Sequence, residues 1–341
     1  MASLPTGVIL RALICGLAAM YPVVADAQPG FSGLASTYSI VARDTITGEL
    51  GVAVQTHWFA VGRRVPWARP GVGAVATQSF TNPSFGPRGL AMLESGHSAQ
   101  QALDSLIASD GGRDLRQAAI ISASGDVAVW TGAKCIRFAG HQLGPGFSVQ
   151  ANMMLSDKVW PAMAHAYETT EGPLAERLLA ALDAGQSAGG DIRGKQSAAL
   201  IVVEAGPAEG PWAGRKVDLR VDDSDEPLGE LRRLLRIHRA YEHMNRGDQA
   251  LENGNLEDAR AEYGKAAELN PRNPEIRYWL AVSLANEGLI DEALPIFEDV
   301  FALDDNWRLL TERLPQSDLL DVSDDVLEQI LSASRQPVIG E

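Results

Sequence analysis

Apolar side chains gather into short dense runs along the first two thirds of the chain, with turn residues between them. Residues 37–43 (TYSIVAR) are rich in β-branched and aromatic types, and 44–48 carry the Asp and Gly of a tight turn. Residues 50–56 are almost continuously apolar, as in a strand covered on both faces. Residues 71–79 read as a third strand, with glycines at points of close backbone approach. A loop at 82–87 leads into two short helices, 88–94 and 98–108, with Ser98 as N-cap of the second. Residues 115–122 and 126–131 predict a hairpin around 123–125, and 147–153 another strand. Helical spacing returns at 157–169 (Val159, Met163, Ala166, Tyr167) and at 173–184 (Leu174, Leu178, Leu179, Leu182). A last pair of strands, 198–204 and 215–221, closes the series. This order predicts an α+β fold and suits two sheets between helix layers. An ordinary two-layer α+β domain would give the same string.

Beyond 226 the pattern is helical throughout. Residues 227–246 predict a long amphipathic helix (Leu231, Leu234, Leu235, Ile237, Tyr241), and the chain after it repeats with a period of 34 residues. Gly254 matches Gly288, Leu256 matches Ile290, Ala259 matches Ala293, Tyr263 matches Phe297 and Ala266 matches Val300. The period and the helix–turn–helix reading resemble the tetratricopeptide repeat, with units at about 240–273 and 274–307. Pro271 ends the first unit, and Asp305 stands at that place in the second. Two units are fewer than usually stand alone, so the helix from Pro227 and residues 307–332 are expected to act as caps, with Trp307, Leu309, Leu310, Leu314 and Leu319 supplying apolar surface. The concave face of such a module binds a peptide or protein partner. Packing or dimerisation into a homo-oligomer is the plainer use.

The net charge of −15, concentrated beyond Asp222, argues against a nucleic-acid partner, which requires a basic face. Residues 1–27 read as a secretory signal peptide: Arg11, an apolar core at 12–20 and small residues at 25–27. That core is too short for a membrane span. The expected location is therefore periplasmic or secreted, with a leader at 28–36 after the first cut. Export leaves Cys135 as the sole cysteine, which excludes an internal disulfide. The histidines lack metal-ligand spacing, and no glycine-rich segment matches a nucleotide loop, so neither a metal nor another cofactor is expected.

The segments TYSIVARD…GELGVAV…VGRRVPWARPGVGAVATQS, SVQANMM (148–154) and GDIRGKQSAAL (190–200) resemble the DUF1028 family of uncharacterised bacterial proteins, over about residues 37–245. That family is similar in fold to the N-terminal-nucleophile hydrolases. The resemblance implies a four-layer αββα sandwich at 37–226, ahead of the all-α repeat domain at 227–341. It implies a suspected amide-cleaving chemistry and no substrate.

A hydroxyl at a new chain terminus can use its own α-amine as base, which makes Thr37 the candidate nucleophile. It would have to become the terminus, by a second cut after Ser36. The plainer reading is a first strand residue with a solvated hydroxyl. Asn152 and Gln78 are neutral amides in apolar strands and are candidate oxyanion donors or structural hydrogen-bonders. Arg43 and Asp44 close the first strand and either hold the amine or a substrate carboxylate, or form a turn Asp beside a surface Arg. His57 at a strand end suits a pocket lining or an acid/base, and equally plain packing. Arg63, with Arg64, suits an anionic substrate group, a solvated loop being the commoner use, and Lys195, in a Gly-flanked polar loop ahead of a buried strand, suits lowering the amine's pKa or binding a carboxylate. Together with Thr37 heading a buried sheet, the resemblance implies an exported amidohydrolase acting on a small amide or peptide. The alternative is a non-catalytic binding or scaffold protein that captures a peptide, cell-wall fragment or protein partner.

Overall fold

The computed structural model describes residues 34–35, 37–210 and 212–334. The expected signal peptide and most of the leader lie outside the described residues. The strands are β1 (Leu34–Ala35), β2 (Thr37–Arg43), β3 (Leu50–Thr56), β4 (Pro66–Arg69), β5 (Gly73–Phe80), β6 (Arg116–Ser122), β7 (Val127–Thr131), β8 (Gly140–Gly144), β9 (Phe147–Ala151), β10 (Ser197–Val203) and β11 (Arg215–Val221). The helices are α1 (Phe85–Glu94), α2 (Ala99–Ala108), α3 (Val159–Thr169), α4 (Leu174–Ser187), α5 (Pro227–Glu252), α6 (Leu256–Leu269), α7 (Pro274–Asn286), α8 (Ile290–Phe301), α9 (Asn306–Arg313) and α10 (Asp324–Ser332).

Two antiparallel sheets lie face to face. One runs β11-β10-β3-β2-β9-β8, and the other runs β1-β5-β6-β7 with β4 also on β5. Alternation along β2 sorts its side chains: Val41 joins Val52, Val54, Ala74, Ala76 and Ile121 between the sheets. Tyr38, Ile40 and Ala42 face outward onto α3 and α4, through Met163, Leu178 and Leu182. On the far side, α1 and α2 cover the second sheet through Leu90, Leu103, Leu106 and Ile120. The result is the four-layer αββα order. A capping box at Ser98 and Gln101 starts α2 where the sequence placed its N-cap.

Several differences have plain causes. Strands β4 and β8 were not expected. Both are short, and β8 (GHQLG) has no apolar run, so it exists through backbone pairing with β9. Helix α1 starts at Phe85, earlier than expected, and carries Pro87 in its first turn, where a missing N–H costs nothing. Helix α5 continues to Glu252 through Gly247, where a Cβ would sit 2.9 Å from the Tyr263 ring. That glycine lets α6 press against α5.

The repeat is visible in three dimensions. Gly254 and Gly288 take the left-handed backbone (φ 71° and 76°) in equivalent inter-helix turns. Tyr263 and Phe297 occupy equivalent buried sites. Trp307, Leu310, Leu314, Leu320 and Ile330 close the end of the second unit around Phe297 and Phe301. Leu309 and Leu319 were expected there too, but both are about half exposed, since they fall on the outer side of their segments. At the other end, Leu228, Leu231 and Leu235 belong to the core of the sandwich, whereas Ala240 packs with α6. Helix α5 is thus shared by both halves. Arg239 clamps it to α4 with two 2.9 Å bonds to Glu176.

Candidate functional site

Thr37 begins β2 at the point where the chain changes sheets. Ala35 and Leu34 pair with Ser79 and Phe80 of β5, whereas Thr37 pairs with Thr56 of β3 in the opposite sheet. Thr37 is completely buried. Its carbonyl accepts three hydrogen bonds: from the Asn152 main chain at 3.0 Å, Asn152 Nδ2 at 3.3 Å and Gln78 Nε2 at 3.2 Å.

Behind that carbonyl lies a polar seam between the sheets. Gln117 is its hub: Oε1 accepts from Gln78 Nε2 (2.7 Å) and Asn152 Nδ2 (2.9 Å), while Nε2 donates to Thr131 Oγ1 (2.8 Å) and the carbonyls of Ala151 (2.9 Å) and Gly140 (3.2 Å). Ser39 donates to Gln78 Oε1 and accepts from Gln150 Nε2, both at 2.6 Å. Buried amides remain only where partners satisfy them, and here they satisfy one another. Gln78 and Asn152 therefore position the start of β2, and their donors are already spent on it. One acceptor beside this seam, Asn152 Oδ1, is buried without a hydrogen-bond partner among the described residues. The residues that follow the two amides, Ser79 (φ 68°) and Met153 (φ 58°), both hold the left-handed backbone, a strain of about 1–3 kcal/mol each.

Loops from three other elements converge on the same end of the sandwich. His57 follows Thr56. Its main-chain N–H donates to Asp191 Oδ2 at 3.0 Å, and its Nδ1 lies 3.3 Å from the Lys195 carbonyl. A carbonyl can only accept, so in this contact Nδ1 is the donor. Asp191, with its carboxylate fully enclosed, also accepts from Arg193 Nη2 at 2.7 Å. Lys195 is ion-paired with Glu226. Arg63 and Arg64 line a pocket of about 460 Å³ with Trp58, Phe59, Ala60 and Pro83. The half-buried Cys135 thiol donates to the Arg116 carbonyl at 3.4 Å, and burial pushes its pKa up, away from thiolate chemistry. The fold thus brings Thr37, Gln78, Asn152, His57, Lys195 and Arg63 to one end.

Arg43 and Asp44 do not join them. They lie at the far end of β2, roughly 20 Å away at strand spacing. Asp44 is the turn residue: its Oδ1 accepts from the N–H groups of Ile46 and Thr47, both at 2.8 Å, and its Oδ2 faces Arg177 at 3.4 Å. It shares a cavity of about 490 Å³ with Glu49, Leu174, Lys216 and Arg239. Burial pushes the Asp44 carboxyl up, but Thr47, Ile46 and Arg177 outweigh it and hold the group below its ordinary range. With the folded pKa depressed, its contribution is full above the unfolded value near ~3.9 and disappears as pH falls through the folded value. Asp44→Asn is expected to cost about 1–2 kcal/mol at pH 7, with the gap to wild type closing below pH ~4. Urea denaturation at pH 7 and pH 3 checks this; an equal gap at both would refute it.

Sequence reading did not single out Gln117, Gln150, Ser39 or Asp191. The signal for the two glutamines was the one used for Gln78, a neutral amide inside an apolar strand. Among the described residues there is no group of three or more His, Cys, Asp and Glu able to hold a metal, and no helix long and apolar enough to cross a membrane.

Residues 37–231 match a family of unknown function (DUF1028), and residues 244–306 match the tetratricopeptide repeat. The crystal structure of a DUF1028 protein from Silicibacter pomeroyi is similar, with 31% identity and a TM-score of 0.54 over 59% of this chain and 84% of that one. No curated protein matches the chain.

Proposed function

The chain belongs to the DUF1028 family, and from that premise we propose that it is an exported precursor of an N-terminal-nucleophile amide hydrolase. Hydrolysis of the Ser36–Thr37 peptide bond would leave Thr37 as the terminus. Its Oγ then attacks a substrate carbonyl while the α-amine takes the proton and returns it to the departing amine. Water hydrolyses the resulting ester. The observation that carries this reading is the position of Thr37. It heads a central strand, at the crossing between the two sheets, with its carbonyl held by Gln78 and Asn152. Asn152 Oδ1, without a hydrogen-bond partner among the described residues, is an acceptor available to the released amine. The helical repeats suit a protein partner.

One observation favours a second reading, a binding protein on a hydrolase scaffold: Thr37 is fully buried in the intact chain. Terminal sequencing and intact mass of the protein from its native exported compartment separate the two. A chain beginning at Thr37 supports the hydrolase, and one beginning at Gln28 supports the binding protein.

A further inference from the structure

We propose that the pocket walled by Trp58, Phe59, Ala60, Arg63, Arg64 and Pro83 is a subsite for a carboxylate attached to an apolar or aromatic group. Its role in substrate choice rests on the hydrolase reading above; the binding itself does not. Placement is the first argument. Trp58 stands two residues past Thr56, the strand partner of Thr37, and Pro83 follows the end of β5 where the leader strand pairs. The pocket therefore opens at the Thr37 end of the sandwich.

Charge is the second. In a chain of net charge −15, neighbouring cations are neutralised: Arg69 by Glu94, Arg193 by Asp191, Lys195 by Glu226 and Arg220 by Asp218. Arg63 and Arg64 form no ion pair among the described residues, although Arg64 is partly buried. Asp222 meets this loop through its main-chain carbonyl, which accepts from Ala60 N–H at 2.9 Å, and not through an ion pair to either arginine. Two adjacent guanidiniums with open forks match a carboxylate in paired hydrogen bonds.

Rigidity is the third. Ala60 is held in the left-handed region (φ 52°), Val61 N–H donates to Ser197 Oγ at 3.2 Å, Ser197 donates to the Trp58 carbonyl, and Trp67 Nε1 donates to the Arg64 carbonyl at 3.0 Å. A backbone held by these bonds costs no loop ordering on binding and leaves only the side-chain ordering of the two arginines. Phe59, 58% exposed, supplies the apolar wall that selects an attached ring or alkyl group.

The test is calorimetric titration of the full chain with phenylacetate, phenylacetamide and inorganic phosphate, in wild type, Arg63→Gln and the double variant Arg63→Gln/Arg64→Gln. Saturable phenylacetate binding is expected, at least about tenfold tighter than phenylacetamide, and weakened at least about tenfold in the double variant. Arg63→Gln should give an intermediate loss, which guards against a folding artefact in the double variant. Equal affinity for the acid and the amide, unchanged binding in the double variant, preference for phosphate, or no saturable phenylacetate binding would each overturn the proposal. Failure of the hydrolase reading, seen as a mature chain starting at Gln28, would leave the binding result standing.

Discussion

Thr37→Ala is expected to abolish the proposed amide cleavage, lowering the rate by about 10³-fold or more, while Thr37→Ser is expected to keep a measurable fraction of it. The asymmetry follows from the proposed chemistry. Serine retains both the hydroxyl and the α-amine, whereas alanine retains only the amine and can form no ester. The measurement is turnover of a panel of peptide and aryl amides by wild type and both variants, each confirmed by mass to begin at residue 37. An alanine variant that cleaves at the wild-type rate would end the nucleophile assignment. Circular dichroism on the same samples excludes loss of fold as the cause.

The second large effect concerns the seam that holds Thr37 in place. Gln117→Leu is expected to lower unfolding free energy by about 3 kcal/mol or more, because it strips partners from several buried polar groups at once. Asn152 Nδ2 loses its better acceptor and keeps a 3.3 Å contact with the Thr37 carbonyl. Gln78 Nε2 loses its 2.7 Å partner, and the Ala151 carbonyl loses its side-chain donor. An apolar residue of similar size at an ordinary core position would cost far less. Urea denaturation of wild type and variant gives the number. A loss below about 1 kcal/mol would mean that water or rearranged amides can replace the hub. The same variant should also reduce any amide-cleaving rate, since the start of β2 would no longer be fixed from behind.

Much of the architecture was legible along the chain because it rests on local patterns. Strand β2 was expected at 37–43 and observed there, and β3 at 50–56 likewise, because dense β-branched and apolar runs between turn residues leave little choice. The repeat was legible because Gly254 and Gly288 mark turns that need a left-handed backbone, and Tyr263 and Phe297 mark buried helix faces. Edge strand β8 was not legible. Its polar residues carry no strand pattern, and its structure comes from the hydrogen bonds of a neighbour.

The candidate residues divide in the same way. Composition and order placed Thr37 at the head of a strand and marked Gln78 and Asn152 as amides that need partners. Which partners they found depended on two sheets folding face to face, which brings residues from β2, β5, β6 and β9 into one seam. Arg43 and Asp44 sat close to Thr37 in sequence, yet an extended strand carries them to the other end of the sandwich, whereas Lys195, just ahead of β10, lies at the Thr37 end because Ser197 pairs with Thr56. By itself the sequence determined most of the strands and helices, the repeat, and Gln78 and Asn152 as polar residues that could not be left unpaired, because those follow from local sterics and from the cost of burying a lone amide. Only the tertiary structure decided which polar groups meet, since hydrogen bonds across 70 or 100 residues are set by sheet packing and leave no periodic trace along the chain.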